Sequence, residues 1–160
     1  MDIGSGHGYP ESSLSNFAPH PFEIDGVDCA SMEGFLQSLK FQDAQMQMYV
    51  CTLVGREAKF KGKHKKWYKE QVLYWQGVPI PRDSQEYQDL LDRAFNQLAK
   101  NSKFAAALLG TGVAVLKHSI GKTDPHNTVL TQQEFCSRLL QLRRRITIEK
   151  VGMSYEQFKH

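Results

Sequence analysis

The chain has 160 residues, of which 41% are hydrophobic, so it is large enough for one domain with a single buried core. Its net charge of +3 argues against a strong uniform attraction to nucleic acid, and no apolar run approaches the roughly 20 residues that span a bilayer. The amino terminus lacks the basic and apolar regions of a signal peptide, which predicts a cytoplasmic location. Three scattered cysteines without a C-x-x-C pair predict neither a disulfide framework nor a zinc site, so we expect no metal and no cofactor.

The first predicted elements are a β-hairpin and the segments on either side of it. Residues 21–29 alternate apolar and polar side chains around an Asp-Gly pair at 25–26, which is a strong hairpin signal. The hairpin would hold an Asn-Phe loop, residues 16–17, on one side and Ser31 on the other.

A helix beginning after Ser31 carries the most informative polar pattern. Ser31 is a good N-cap, and Glu33, Gln37 and Lys40 then fall within about 60° of one another because they occupy positions i, i+4 and i+7. Gly34 beside this stripe suggests room for a ligand to approach. The stripe predicts the wall of a polar site, and the alternative is an ordinary set of solvated helix side chains.

Lysines and aromatic residues alternate between residues 59 and 69. They are Lys59, Phe60, Lys61, Lys63, His64, Lys65, Lys66, Trp67, Tyr68 and Lys69. Such interleaving could hold phosphates while a base stacks on a ring. The alternative is a solvated loop whose aromatic rings point inward.

The rest of the chain is predicted to be mainly helical. Apolar residues repeat with helical spacing from Tyr87 to Leu98 after a capping box at 83–86, and residues 104–109 form a shorter helix. Residues 78–81, V-P-I-P, are expected to mark the boundary before the first of these helices. A second capping box, at Thr131, opens the last helix. Four arginines in that helix are expected to be exposed: Arg138, Arg143, Arg144 and Arg145.

A buried strand is predicted at residues 113–116, which are apolar and partly β-branched. It leads into a polar loop, residues 118–127, and such loops often carry catalytic residues, although an ordinary turn is the alternative. The predicted fold class is α+β and predominantly helical, a single compact domain with a small β-hairpin element. We expect the domain to span residues 1–148 and a C-terminal tail, residues 149–160, to dock or fray.

A series of short motifs follows one order along the chain. They are L-S-N-F at 14–17, P-F-x-I-D-G at 21–26, S-x-E with Q-x-x-K-F behind it at 31–41, A-K-x-x-G at 58–62, and Trp67 with Gln71-Val72 behind it. This order resembles the NADAR superfamily, also called the YbiA-like family, and the resemblance resumes at 116–127 and ends near 142–143. It implies a YbiA-like fold. Two departures stand out, because the family often has His where this chain has Gly34, and its late N-x-L-G turn appears here as residues 127–131.

The resemblance implies an N-glycosidase that hydrolyses the ribosyl C–N bond of a phosphorylated N-riboside. One branch of the family is associated with riboflavin-pathway intermediates, and another with removal of ADP-ribose from modified guanine, so an ADP-ribosylated nucleic acid is a possible partner. The catalytic residues carried over by the match are Glu33, Trp67 and Asp124. The expected substrate-binding residues are Asn16, Phe17, Gln37, Lys40, Lys61, Lys122 and Asn127. No membrane partner is expected, and the oligomeric state is left open.

Chemistry suggests roles for the two acids. Breaking a ribosyl C–N bond develops positive charge on the sugar, so a carboxylate such as Glu33 could stabilise the transition state and activate water. Asp124 could orient the ribose hydroxyls or assist the leaving base. Two other functions stay open: a non-catalytic module that binds ADP-ribose or an NAD derivative, and an RNA- or DNA-binding domain that uses residues 59–69. The sequence favours the enzyme because a plain electrostatic binder has no need of the Glu33 stripe.

Overall fold

The computed structural model describes the backbone of residues 1–159 and the side chains of residues 1–152. This part of the chain forms seven α-helices and two antiparallel two-stranded sheets, which confirms the predicted α+β, predominantly helical class. The helices are α1 (Glu11–Leu14), α2 (Met32–Ser38), α3 (Ala44–Cys51), α4 (Gly55–Lys63), α5 (Gln85–Leu98), α6 (Ser102–Gly110) and α7 (Gln132–Lys159). The strands are β1 (Phe22–Ile24), β2 (Val27–Cys29), β3 (Val72–Trp75) and β4 (Val78–Pro81), and a 3₁₀ turn covers Trp67–Lys69.

Both sheets are hairpins closed by two-residue turns. In the first, Asp25 and Gly26 have φ angles of 50° and 80°, the positive values that a type I′ turn requires. Gln76 and Gly77 repeat this geometry in the second, with φ angles of 51° and 82°. The predicted hairpin over residues 21–29 is therefore confirmed.

The V-P-I-P segment precedes the start of α5, as predicted, but it forms strand β4, which was not predicted. Trp75 pairs with Val78 beside the turn, and in a two-residue hairpin that pair is the hydrogen-bonded one. Pairs alternate from there, which places Pro79 and Pro81 in non-hydrogen-bonded pairs, where a missing N–H removes no bond from the sheet.

The core lies between α2, α5 and α7. Phe35 of α2, Leu39 directly after it, Phe95 of α5, and Phe135 and Leu139 of α7 are almost fully buried in one cluster. Burial of each such side chain contributes about 1.5–3 kcal/mol, so this cluster, to which all three helices contribute, stabilises the fold.

Gly34 allows α2 to pack closely on the end of α3. A Cβ atom at this position would lie 2.4 Å from the carbonyl oxygen of Leu53 and 3.0 Å from that of Val50. Ser31 caps α2 by accepting a hydrogen bond from the Gly34 backbone N–H, and its hydroxyl donates to the same Leu53 oxygen at 2.9 Å. The predicted cap is confirmed, but the prediction of ligand space beside Gly34 was wrong, because backbone fills that space.

The predicted strand at residues 113–116 does not form. Val113 and Val115 are 97% and 70% exposed. Arg143 of α7 donates hydrogen bonds to the carbonyl oxygen of Ala114 at 2.8 Å and to the hydroxyl of Thr111 at 2.9 Å. A buried side chain therefore satisfies this backbone, which leaves the apolar residues facing solvent.

Two of the four arginines of α7 are buried, contrary to the prediction. Arg143 makes the contacts just described, and Arg138 pairs with Asp92 of α5 at 3.0 Å and donates to the side chain of Gln88 at 2.8 Å. Arg144 and Arg145 are exposed, as predicted.

Both helices α5 and α7 begin with side-chain caps. Thr131 and Glu134 form the predicted reciprocal capping box: the Thr131 N–H donates to Glu134 at 2.8 Å, and the Glu134 N–H donates to the Thr131 hydroxyl at 3.0 Å. At α5 the cap is Ser84 rather than Asp83, the first residue of the predicted box at 83–86. The Ser84 hydroxyl accepts from the Tyr87 N–H at 3.2 Å.

Helix α7 continues through the expected domain boundary at residue 148 to Lys159. The predicted tail, residues 149–160, lies partly outside the described residues, so the domain limits stay a prediction. None of the helices in the described part of the chain is both long enough and apolar enough to cross a bilayer.

Candidate active site

A cavity of about 360 Å³ opens beside α2 and brings together five separate parts of the chain. Its lining residues are Ser5 near the amino terminus; Ser15, Asn16 and Phe17; Glu33, Leu36 and Gln37 of α2; Lys59 of α4; and His118, Ile120, Gly121, Lys122, Thr128, Val129 and Leu130. Polar and charged groups from α2, α4 and the late loops thus face one space.

The α2 wall of the cavity matches the predicted stripe. The Gln37 Nε2 atom donates a hydrogen bond to Glu33 Oε1 at 2.9 Å. The backbone N–H of Glu33 donates to the carbonyl oxygen of Asn16 at 3.1 Å, which holds the Asn16-Phe17 loop against the first turn of α2. Four predicted site residues, Asn16, Phe17, Glu33 and Gln37, therefore lie side by side.

Glu33 is the acidic group of the cavity lining. Burial raises the pKa of its carboxyl above the ordinary value, while the hydrogen bond from Gln37 and the positive charges of Lys40 and Lys59 oppose that rise. A carboxyl that keeps its proton to higher pH becomes a stronger base once ionised, which suits it to proton transfer near neutral pH.

Lys40 lies behind the α2 wall rather than in the lining. Burial lowers its pKa to about 8, the Glu33 carboxylate opposes this change, and the charge of Lys122 adds to it. An amine with that pKa is partly neutral in mildly alkaline solution, so Lys40 loses part of its positive charge there.

Gly62 of α4 makes room for the Gln37 side chain. A Cβ atom at Gly62 would overlap Gln37, lying 1.8 Å from its Oε1 and 3.2 Å from its Cβ. The Gly62 carbonyl oxygen also accepts a long hydrogen bond from Lys40 Nζ at 3.4 Å. Helix α4 therefore supports the polar stripe of α2 through a residue that has no side chain.

We expect Gly62→Ala to raise the pKa of Glu33 above its wild-type value. The added methyl group displaces Gln37, and the hydrogen bond from Gln37 is one of the interactions that hold this pKa down. Carbon-detected NMR titration of the Glu33 carboxyl measures the change. Gly110→Ala in α6, where the nearest contact of the new Cβ is 3.8 Å, is the matched control and should leave the pKa unchanged. An unaltered Glu33 pKa in Gly62→Ala would contradict this role of Gly62.

His118 forms part of the cavity lining contributed by the late loop. Its Nδ1 lies 2.9 Å from the carbonyl oxygen of Ile3, which can only accept, so Nδ1 carries hydrogen and Nε2 is the atom left for proton exchange. The ring packs edge-on against Phe135 with centroids 5.0 Å apart, and a Cβ atom at Gly121 would lie 2.4 Å from its Cδ2. These contacts fix the orientation of the imidazole.

Neither His118 nor Lys59 was among the predicted site residues. The polar loop at 118–127 pointed to the region that contains His118 but did not single out that residue. Lys59 could not be distinguished from the five other lysines of residues 59–69. Of the three lysines predicted to bind substrate, Lys122 lines the cavity, whereas Lys40 and Lys61 do not.

Asp124 and Asn127 lie outside the cavity lining. The Asp124 side chain is 53% exposed and accepts hydrogen bonds from the backbone N–H of His126 at 2.9 Å and from Asn127 Nδ2 at 3.2 Å. The bond from the His126 backbone lowers the pKa of Asp124. The two residues thus form a turn of their own, and their roles stay predictions.

Trp67 and Lys61 also lie outside the lining. Trp67 occupies the 3₁₀ turn, partly buried, with its ring edge-on to Tyr68 at 6.5 Å between centroids. Lys61 Nζ lies 5.5 Å from the ring centroid of Tyr49 on α3. No group of three or more His, Cys, Asp or Glu side chains within the described residues could hold a metal ion.

Known proteins resemble this chain over most of its length. A family model described as bacteriophage protein GP30.3 matches residues 8–144. A protein of Enterobacteria phage T4, named "Uncharacterized 17.1 kDa protein in Gp30-rIII intergenic region", is 35% identical over 146 residues, which is 89% of this chain and 96% of that protein. The NMR structure of the E. coli protein YbiA has a TM-score of 0.59 and 18% identity, covering 93% of this chain and 84% of YbiA. This likeness confirms the YbiA-like fold predicted from the NADAR resemblance. The chain belongs to the bacteriophage GP30.3 protein family.

Proposed function

We propose that the protein is an N-glycosidase that hydrolyses the ribosyl C–N bond of a phosphorylated N-riboside. The observation that carries this proposal is the Glu33 carboxyl, which lines the cavity, is held by Gln37 and has its pKa raised by burial. Lys59 and Lys122 line the same cavity and supply positive charge for a phosphate.

The reaction needs a base for water and a proton for the leaving group. Water oxygen attacks the anomeric carbon and loses a proton to Glu33, while the C–N bond breaks and its electron pair moves to the base nitrogen. The ionised carboxylate also stabilises the positive charge that develops on the sugar. His118 lines the same cavity, and its Nε2, when protonated, supplies the proton that the departing nitrogen takes up.

Two substrate classes contain both a ribosyl C–N bond and a phosphate group, and the lining of this cavity suits either class. One is a riboflavin-pathway N-riboside, and the other is ADP-ribose attached to guanine or to a nucleic acid. The α2 amide of Gln37 and the loop amide of Asn16 can donate to and accept from sugar or base in either case.

The test is incubation of the purified protein with one substrate of each class, followed by mass spectrometry of the products. The expected result is a free base and a ribose phosphate or ADP-ribose from at least one of them. Saturable binding of ADP-ribose by calorimetry, without release of base from any substrate, would replace the proposal with the non-catalytic binding module.

A further inference from the structure

The positive charge of this chain is concentrated in α4 and the residues that follow it. Residues 55–69 contain seven Lys and Arg residues and a single acid, Glu57, a net charge of +6. The whole chain carries only +3, so all other residues together have a net charge of −3. The low overall charge thus conceals one strongly basic surface.

Three aromatic rings lie exposed on that surface, and two of them, Tyr49 and Phe60, have a lysine close by. Phe60 is 55% exposed, and Lys63 Nζ lies 5.4 Å from its ring centroid. Tyr49 on α3 is 49% exposed beside Lys61, and Tyr68 is 48% exposed in the 3₁₀ turn. We call this set, Tyr49, Phe60, Lys61, Lys63 and Tyr68, the α3–α4 face.

The folding of α4 explains why these groups point outward. Ala58 and Gly62 are its buried residues, and they form the side that packs on α2. Phe60 is then on the opposite, solvent side because it lies about 160–200° around the helix from both of them. Within residues 1–152, none of the six lysines from Lys59 to Lys69 belongs to an ion pair with an acid, so their charges are available to a partner.

Helix α4 connects the α3–α4 face to the cavity. Lys59 lines the cavity and lies 6.0 Å from the ring centroid of Phe17, which lines it too. Lys63 is one helical turn from Lys59 and therefore on the same side of α4. A chain of phosphates bound along this face would lead to the mouth of the cavity.

We propose that the α3–α4 face binds single-stranded nucleic acid. The lysines match the charge of a phosphate backbone, and the exposed rings of Phe60, Tyr49 and Tyr68 offer stacking surfaces to unpaired bases, which a duplex does not present. A lipid surface would call for a continuous apolar stripe, whereas these rings alternate with lysines. This inference goes beyond the proposed glycosidase, since neither Glu33 nor a ribosyl substrate takes part in it.

The test is fluorescence anisotropy of an unmodified, labelled 20-nucleotide single strand, titrated with the protein over a series of salt concentrations. We expect saturable binding. The logarithm of the binding constant should fall linearly with the logarithm of salt concentration, with a slope of about 0.7 for each phosphate contact. Removing two contacts with Lys61→Gln/Lys63→Gln should reduce the slope by about 1.4 and the affinity by about 25-fold at 0.1 M salt. Phe60→Ala should reduce affinity about 5- to 100-fold without changing the slope.

The matched control is Lys100→Gln/Lys103→Gln, which removes the same charge from exposed lysines at the junction of α5 and α6. Apart from the general effect of a lower net charge, this control should change the affinity by less than about twofold. Circular dichroism checks that all variants are folded. Glu33→Gln should bind like wild type, so loss of the glycosidase would not remove this binding. Equal losses in the two double variants, absence of saturable binding at 50 mM salt, tighter binding to a duplex, or binding only to anionic vesicles would each overturn the proposal.

Discussion

Glu33→Gln is expected to lower turnover of the ribosyl substrate by about 100- to 10,000-fold, the range in which a positioned acid–base group contributes. The amide keeps the shape of the side chain and an oxygen to accept the Gln37 hydrogen bond, so the cavity should be preserved. What is lost is the group that accepts a proton and carries negative charge. Product release measured at equal concentrations of folded protein tests this expectation, and a variant that retains a tenth or more of wild-type turnover would remove Glu33 from the mechanism.

The same substitution should raise thermal stability at neutral pH. Burial raises the Glu33 pKa in the folded state, so the folded protein holds this proton to higher pH than the unfolded chain does. Ionisation of Glu33 therefore lowers the stability of the fold as pH rises above the pKa of this carboxyl in the unfolded chain, about 4.3. The neutral amide of Gln avoids that loss of stability. Melting temperatures should differ at pH 7.5 and converge near pH 4.

The control for both measurements is Glu23→Gln, which makes the same chemical change at an exposed position of β1. It should alter neither turnover nor the pH dependence of melting. A lower melting temperature for Glu33→Gln than for wild type at pH 7.5 would show that Glu33 supports the fold rather than a function.

The part of the site that could be predicted from the sequence is local. Helical periodicity places Glu33 and Gln37 together, and the Asp-Gly turn fixes the hairpin that precedes them. Asn16 and Phe17 reach the cavity through one backbone bond to Glu33, across a short stretch of chain. Each of these features depends on spacing over fewer than about 20 residues, which a sequence pattern records.

His118 shows why the opposite wall could not be predicted. Its position depends on the pairing of Asp2 with Lys117 and on its own bond to the Ile3 carbonyl, contacts between residues 115 positions apart in the sequence. No local periodicity encodes such a contact. The polar loop therefore indicated the region, while the prediction favoured Asp124, a residue that the structure places in an exposed turn.

The buried arginines were missed for a related reason. Composition predicts that charged side chains are exposed, and this holds for Arg144 and Arg145. Arg138 and Arg143 are buried because their partners, Asp92 and the end of α6, come from other helices. The failed strand at 113–116 has the same origin, since its backbone partner is Arg143.

The most consequential of these long-range contacts joins Arg82 to Glu134. The Arg82 side chain is only 2% exposed, and its guanidinium donates two hydrogen bonds to the Glu134 carboxylate, at 2.6 and 3.1 Å. Its Nε also donates to the Thr128 carbonyl oxygen at 2.9 Å, and its planar group lies 4.6 Å from the ring centroid of Tyr87. Because Thr128 lines the cavity, this ion pair links the start of α7 to the site.

Glu134→Ala should therefore lower the free energy of unfolding by about 3–5 kcal/mol, since it leaves the buried Arg82 charge without a partner and removes the side-chain acceptor for the Thr131 N–H in the capping box of α7. Burial alone would raise the Glu134 pKa, but the hydrogen bonds from Arg82, Gln88 and the Thr131 backbone outweigh it and lower the pKa. The wild-type contribution is thus present above the ordinary carboxyl pKa and is lost as pH falls through the lowered folded value. Urea unfolding at pH 7 measures the loss.

Two further variants separate this explanation from a general loss of charge. Glu86→Ala removes an exposed carboxyl from the first turn of α5 and should change stability by less than about 0.5 kcal/mol. Arg82→Met/Glu134→Leu replaces both partners with apolar groups and should be more stable than Glu134→Ala alone, because no unpaired charge remains buried. The stability lost in the double variant could instead equal the sum of the losses in Arg82→Met and Glu134→Leu measured separately. That result would assign the loss to packing, and the ion pair would not be what holds residues 128–131 against the cavity.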